Sequence, residues 1–360
     1  MIGVKTAPNQ PEISIFYAMI QIDGSIGEGG GQVLRTSLAL SILTRQELHI
    51  TLIRHRRSKP GLMAQHLKSV EAAARVCRGS VEGASTGSQE LTFRPEEPHS
   101  GKYTFEIGTA GSTSLVLQTI FLPLCLAERT STVTLTGGTH VPWSPCFEYL
   151  SLQWLPYLQQ MGIRAELTLE QAGFYPPGGG SIRAVIHPTR SISPLSIPAR
   201  GALQRIQGIS AVANLDEDIA RRQKIQALRR LEPRCRETKI KATSVPSPVK
   251  GTYIVLLAEF AGSRACFSAL GARGKPAERV ADEAVDGLEE FLTTDGAIDP
   301  YLADQLLLPM ALAEGISQFR TSRVTQHLLT NAEIIRQFLP VAIDINGEQD
   351  QPGDVFVKTK

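Results

Sequence analysis

A chain of 360 residues exceeds one average domain, which predicts two units, each able to bury a core of its own. With 42% hydrophobic and 20% charged residues, it has the make-up of an ordinary soluble globular protein rather than a disordered or membrane-embedded one. A net charge of +2 excludes a general attraction to polyanions, so any contact with nucleic acid has to come from local clusters.

In chain order, ISIFYAMI at 13–20 is too short to span a bilayer, and no small-residue cleavage site follows it. Residues 1–18 read as an extension and 19–23 as a first strand. A pattern then appears three times: a helix led by Gly or Pro, a strand, a second helix, and two strands separated by a turn. Its first copy is GGGQVLRTSLALSIL, ELHITLIR, AQHLKSVEAAARVC, SVEGA and ELTFRP. The second is GSTSLVLQTIFLPLCLAE, STVTLTG, PCFEYLSLQWLPYLQQMG, RAELTLEQ and GSIRAVIHP, and the third runs from DPYLADQLLLPMALAEG through SQFRTSR, TQHLLTNAEIIRQFLP and VAIDING to DVFVKTK. Apolar residues recur at helical spacing in the helices and alternate in the strands, so the copies share a pattern and not identities.

Spacing exposes an insertion. Gly31 and Ser112 open equivalent helices about 80 residues apart, whereas the third such helix begins near Tyr301, about 190 residues further on, which leaves roughly 100 in surplus. The surplus falls near 199–297, after the Pro/Ser-rich HPTRSISPLSIPAR and before the turn-like TTDGAIDP. Within it ALQRIQGISAV, GTYIVLLAEF and CFSALG read as strands, and LDEDIARRQKIQALRRL and AERVADEAVDGLEEFL as helices, a small α+β module. Its basic stretch from Arg221 to Lys241 has two readings: a guide for RNA, or a solvated face whose charges pair along the helices.

The five cysteines, Cys77, Cys125, Cys146, Cys235 and Cys266, are widely spaced and contain no CxxC. They read as reduced thiols of a cytoplasmic protein, with neither a disulfide framework nor a zinc site.

Several stretches carry chemistry. SIGEGGGQVLRTSLAL (25–40) surrounds Glu28 with glycines just before a helix bearing Arg35. Such a start admits an anion to backbone N–H groups, and its carboxylate suits a Mg²⁺ that bridges phosphates; a plain tight turn needs glycine too. IRHRRSKPGLMAQHL (53–67) gathers Arg54, Arg56, Arg57 and Lys59, guanidinium forks that fit phosphate oxygens or simply a basic surface loop. Arg56 has no required role there and is expected to face solvent, while His55 and His66 lack acidic or thiol companions and read as loop and helix-surface residues. GGTHVPWSP (137–145) offers Val141, Pro142 and Trp143 as a wall for a base, or as loop packing. In SRVTQHLLTNAEII (322–335), His327 stands where a polar connector becomes an apolar helix, and residue type alone leaves it between core filler, metal ligand and nucleophile.

Together, GEGGGQVLR, RRSKPGL, GTAGSTSLVLQT, GFYPPGGG, YLADQLLLPMAL and TQHLLTN, in that order, resemble the RNA 3′-terminal phosphate cyclases. The likeness runs from about residue 20 to 345 and is weakest in the insertion. It implies an α/β (α+β) protein: a large domain of three βαβαββ-type repeats, residues 19–198 and 298–350, with an inserted small thioredoxin-like α+β domain at 199–297. It also implies ATP as co-substrate, Mg²⁺ or Mn²⁺, RNA with a 3′-terminal phosphate as partner, and no membrane; whether the chain forms a homodimer is left open. By match, His327 takes AMP from ATP, Glu28 holds the metal, and Arg35, Arg54 and Arg57 clamp phosphates with Gln65 nearby. Gln118 and the segment Tyr301, Leu302, Ala303, Asp304 and Gln305 would line the ATP site, with Asp304 either orienting the imidazole or touching the nucleotide, and Pro309 kinking its helix beside it. Non-catalytic relatives act in ribosome biogenesis and lack the histidine, which this chain retains.

Overall fold

Strands with at least one apolar face pair into four sheets of four strands each among residues 19–359, the part of the chain that this computed structural model describes. The expected extension at 1–18 lies outside the described residues. In chain order come β1 (Ile20–Asp23), α1 (Gly31–Thr44), β2 (Leu48–Thr51), α2 (Ala64–Cys77), β3 (Ser80–Glu82) and β4 (Leu91–Arg94). Next are β5 (Lys102–Glu106), α3 (Thr113–Cys125) and β6 (Ser131–Gly137), then α4 (Phe147–Tyr149), which passes through a π-helical turn at Leu150–Trp154 into α5 (Leu155–Gln160), and then β7 (Ala165–Gln171) and β8 (Gly180–Ile186). After β9 (Ser196–Ile197) the chain makes β10 (Leu203–Ala213), α6 (Glu217–Leu231), β11 (Thr238–Ser244), β12 (Gly251–Phe260), β13 (Arg264–Leu270) and α7 (Ala277–Thr293). It continues with α8 (Leu302–Leu312), β14 (Ile316–Thr321), α9 (Gln326–Phe338), β15 (Ala342–Asn346) and β16 (Gly353–Lys358).

Three sheets, β1-β2-β4-β3, β5-β6-β8-β7 and β9-β14-β16-β15, follow one rule. The first two strands in each are parallel and the remaining pairings antiparallel. A parallel pair requires a crossover; α1 supplies it in the first sheet and α3 in the second. Between β9 and β14 the crossover contains α8 and, before it, the whole fourth sheet, β11-β10-β12-β13. The last strand, β16, pairs with β14 and β15, so this sheet runs past residue 350, where the large domain was expected to end: the alternating DVFVKT supplies the strand between them.

Within the fourth sheet β12 is buried on both faces, which is why it reads as a nearly continuous apolar run. Ile254, Leu256 and Ala258 pack with Ala227, Leu231, Val280 and Leu288 of α6 and α7. Tyr253, Val255 and Leu257, one residue out of phase, join the core of the other three sheets. Strands β5, β9 and β11 carry weak sequence signals: β9 has two residues, and in β11 the outward positions are lysines, so TKIKATS reads as part of a basic stretch. That stretch is largely paired. Arg222 donates both forks to Glu278 at 2.8 Å, and Arg230 meets Asp282, Asp286 and Glu289 of α7, as expected of a solvated charged face.

Where the fourth sheet meets the second, His140 is buried with its Nε2 2.6 Å from Glu148 Oε2, and Tyr253 Oη donates to Glu148 Oε1 at 2.6 Å. Tyr253→Phe leaves this buried carboxylate short of a donor. It is expected to lower unfolding free energy by about 1–3 kcal/mol, read from urea denaturation; an unchanged midpoint would show that the bond carries no weight.

Candidate functional site

The first turn of α9 presents His327. Thr325 caps that helix, its Oγ1 accepting from Leu328 N at 3.1 Å, and Leu328, Ala332 and Ile335 fix the opposite face in the core. The imidazole, two residues past the cap, projects half-exposed from the end. Facing it is the glycine loop before α1, in which Gly27 and Gly29 hold left-handed φ of 59° and 57°, a conformation that suits glycine. A Cβ on Gly27 would come within 2.0 Å of Thr330 Oγ1, so this glycine lets the loop lie against α9. That contact brings Glu28 Oε2 to 3.3 Å from His327 Nε2.

Gln32, on the first turn of α1, decides which ring nitrogen is free. Its Nε2 donates to the His327 carbonyl at 3.2 Å and to Asp304 Oδ2 at 2.6 Å. A carbonyl oxygen only accepts, so the amide nitrogen must point there and Oε1 must face the ring, where it accepts from His327 Nδ1. The neutral imidazole therefore carries its proton on Nδ1 and a bare lone pair on Nε2, aimed into the cleft beside Glu28. Burial pushes the His327 pKa below the ordinary histidine value, with the Arg35 and Arg57 charges acting the same way and Glu28 opposing them.

Asp304 thus acts on the imidazole through Gln32 and makes no direct bond to it. Burial raises its pKa to about 7 against the pull of Arg35. Arg35, one turn after Gln32 on the same face of α1, is lowered to about 10 by burial, offset by Asp304. Among the described residues its guanidinium has no hydrogen-bond partner, a cation recessed in the wall of a cleft. Asn331, four residues after His327, donates to the Asp304 carbonyl at 3.0 Å and accepts from Thr36 at 2.8 Å, which locks α1, α8 and α9 together. Asp299 caps α8 through the Tyr301 and Leu302 amides, both at 3.0 Å.

The cleft has a volume of about 1250 Å³. Of the twelve residues that the resemblance assigns to the histidine, metal, phosphate and ATP positions, ten line it: Glu28, Arg35, Arg54, Arg57, Gln65, Gln118, Tyr301, Asp304, Gln305 and His327. Its lining also includes Phe267, Ser268, Glu283 and Gly287 from β13 and α7. Gln118 donates to Gln305 at 2.6 Å, and Gln65 accepts from Ser112 N at 2.8 Å. Arg57 donates to Glu28 at 3.2 Å. Arg54, itself at φ 54°, spends one nitrogen on the Lys59 and Gly61 carbonyls, each at 2.8 Å, and so braces the loop it was expected only to arm. Pro309 stands inside α8 and touches the cleft.

Two expectations need correction. Leu302 and Ala303 are fully buried and face the core, because a helix turning 100° per residue brings Tyr301, Asp304 and Gln305 to one side and sends the two between them to the other. His66 is no surface residue: its Nδ1 accepts from Met63 N at 3.2 Å, it lines the cleft beside Gly31, and burial with the Arg35 and Arg54 charges lowers its pKa to about 3. Arg56 faces solvent as expected, with one long contact to the Gly27 carbonyl at 3.4 Å. Gln32 and Asn331 were passed over, although each stands at helical spacing from a residue that was named, Gln32 three before Arg35 and Asn331 four after His327.

Among the described residues no group of three or more His, Cys, Asp or Glu could cage a metal ion. Glu28 is a single half-exposed carboxylate that faces an imidazole lone pair. This suits a Mg²⁺-like ion, which keeps its waters and is held by one or two carboxylates together with substrate phosphates.

A family model described as RNA 3′-terminal phosphate cyclase matches residues 26–345. A protein of that name from Gloeothece citriformis is 41% identical over 347 residues, covering 94% of this chain and 98% of its own. Its namesake from Ralstonia nicotianae is 44% identical over 332 residues, 92% and 94% of the two chains, and that from Archaeoglobus fulgidus 41% over 331, 92% and 99%. The chain belongs to the RNA 3′-terminal phosphate cyclase family.

In a histidine NMR titration, His327 is expected to change charge below the ordinary value of about 6.5. Glu28→Gln removes the carboxylate that favours the imidazolium and should take the pKa lower still; a rise in the variant would contradict the arrangement described.

Proposed function

We propose that this chain converts an RNA 3′-terminal phosphate to a 2′,3′-cyclic phosphate with ATP, through AMP bound covalently to His327. The observation that carries this reading is the Gln32–His327 pair, which leaves Nε2 deprotonated and pointing into a cleft with Arg35 and Arg57. Neutral imidazole needs no proton removed from the attacking nitrogen before it reacts. Nε2 bonds to the α-phosphorus, the bond to the bridging oxygen breaks, and pyrophosphate leaves. The Nδ1 proton, already held by the Gln32 amide oxygen, spreads the positive charge that develops on the ring. An oxygen of the RNA 3′-phosphate then attacks the same phosphorus, the N–P bond breaks and His327 is regenerated. Last, the neighbouring 2′-OH closes on the 3′-phosphorus, AMP departs and the hydroxyl proton is lost to solvent. Adenylation supplies the leaving group that a phosphate monoester lacks, and the adjacent hydroxyl has the advantage of proximity.

Charge is the obstacle, because the reacting phosphates repel a nucleophile. Arg35, Arg54 and Arg57 would clamp them, a mainly electrostatic contribution. Glu28 would hold Mg²⁺ or Mn²⁺, which when bound offsets charge on the phosphates. Gln118, Tyr301, Asp304 and Gln305 would line the ATP site, with Gln65 near the phosphates. The three sheets of like strand order are read as three copies of one βαβαββ unit and the fourth, with α6 and α7, as a thioredoxin-like insertion. No helix among the described residues is long and apolar enough to cross a membrane, and five buried free thiols favour a cytoplasmic setting. A purely RNA-associated role in ribosome biogenesis would leave this oriented, proton-free nitrogen without employment.

With α-labelled ATP and metal, the protein is expected to retain label after denaturation, labile to acid and stable to alkali, and His327→Ala to retain none. Offered RNAs ending in 3′-phosphate, 3′-OH or 5′-phosphate, only the first should yield a phosphatase-resistant end. Because burial holds the imidazole neutral, labelling should persist as pH falls to about 6.5. Equal labelling of the alanine variant, or no preference among the RNA ends, would overturn the reading.

A further inference from the structure

Trp143 presents an unexplained expense. It is 99% exposed and adopts φ 64°, a left-handed conformation that disfavours any bulky side chain. Folding gains nothing in return, since the indole buries almost no surface and among the described residues forms neither a hydrogen bond nor an aromatic contact. Yet the loop is held firmly from beneath. His140 and Val141 are buried, Ser144 Oγ donates to the Val141 carbonyl at 3.2 Å, and Pro142 and Pro145 restrict the backbone on either side. Trp143 is thus an aromatic plate on a stiff pedestal, and it lines the cleft that contains His327.

At about 1250 Å³ the cleft exceeds the roughly 300–1,000 Å³ typical of a site for one small ligand. The reaction proposed above brings two nucleotide-bearing substrates to one histidine. Two exposed aromatic residues line the cleft, Tyr301 and Trp143. Tyr301 shares a helix face with Asp304 and so belongs with the histidine and its nucleotide; Trp143 comes from the separate loop after β6. We propose that Trp143 is the stacking platform for the nucleobase of the RNA's 3′-terminal nucleotide. Stacking is tolerant of base identity because every base has a π-face, and single-stranded RNA ends offer bases free to be splayed onto aromatic side chains. The proposal rests on the cyclase reading of the site.

The test uses the full chain, a 3′-phosphate RNA, and the same RNA with an abasic 3′-terminal nucleotide. Trp143→Ala should keep AMP incorporation from ATP alone at its normal rate and KM, while raising KM for the intact RNA roughly 5- to 150-fold; Trp143→Phe should restore most of the loss. Wild type should lose a similar factor with the abasic RNA, and the alanine variant should not distinguish the two RNAs. An unchanged RNA KM, an abasic penalty that survives the alanine substitution, or a raised KM for ATP, which would put adenine on the indole, each overturns the proposal. Should wild type take no label from ATP, the cyclase reading fails separately. Stacking then remains readable without ATP, as quenching of Trp143 fluorescence by the intact RNA and not the abasic one, against the buried Trp154.

Discussion

The site depends on one amide that cannot turn around. Gln32 has its nitrogen held by two acceptors, the His327 carbonyl and Asp304, so its oxygen is committed to His327 Nδ1. A histidine free to choose its tautomer would spend part of its time with a proton on either nitrogen. Here the proton is kept on the inner one and the outer one is presented bare. Asp304 and Asn331 hold the amide and the helices that carry it, and Asp299 holds the start of α8.

Much of the fold can be seen as meeting this demand. Helices α1, α8 and α9 come from sequence positions far apart, and Thr36, Asn331 and Asp304 tie them at one corner. The glycine loop approaches α9 as closely as a residue without Cβ permits, which puts Glu28 against the reactive nitrogen. Arg35 and Asp304 both sit where burial disfavours their charged forms, a cost that bound phosphates would relieve at Arg35. The fourth sheet contributes β13 to the lining of the cleft and is joined to the rest by a shared core and by the His140–Glu148–Tyr253 contacts, so its position relative to the histidine is defined by packing.

The sequence displayed the long helices and the alternating strands plainly, because each is a periodic pattern extended over many residues. It displayed His327, Glu28 and the arginines through motifs with a chemical reading. Short strands escaped, β9 for want of length and β11 because its lysines obscured the alternation. Gln32 escaped for a different reason: its role is a hydrogen bond across 295 positions, and nothing local marks a glutamine that will receive one. Leu302 and Ala303 were credited to the site as members of a linear segment, whereas helical geometry selects their neighbours. Trp143 was visible as a residue, but its exposure and backbone conformation were not.

The Gln32 amide leaves only Nε2 of His327 free to receive the nucleotide. Protein labelled with ¹⁵N in histidine, supplied with ATP and metal and no RNA, can be observed by ³¹P–¹⁵N correlation after the adduct forms. The geometry predicts coupling from phosphorus to Nε2 of His327, with Nδ1 still bearing its proton. Phosphorus bonded to Nδ1, or to a different histidine, would contradict it.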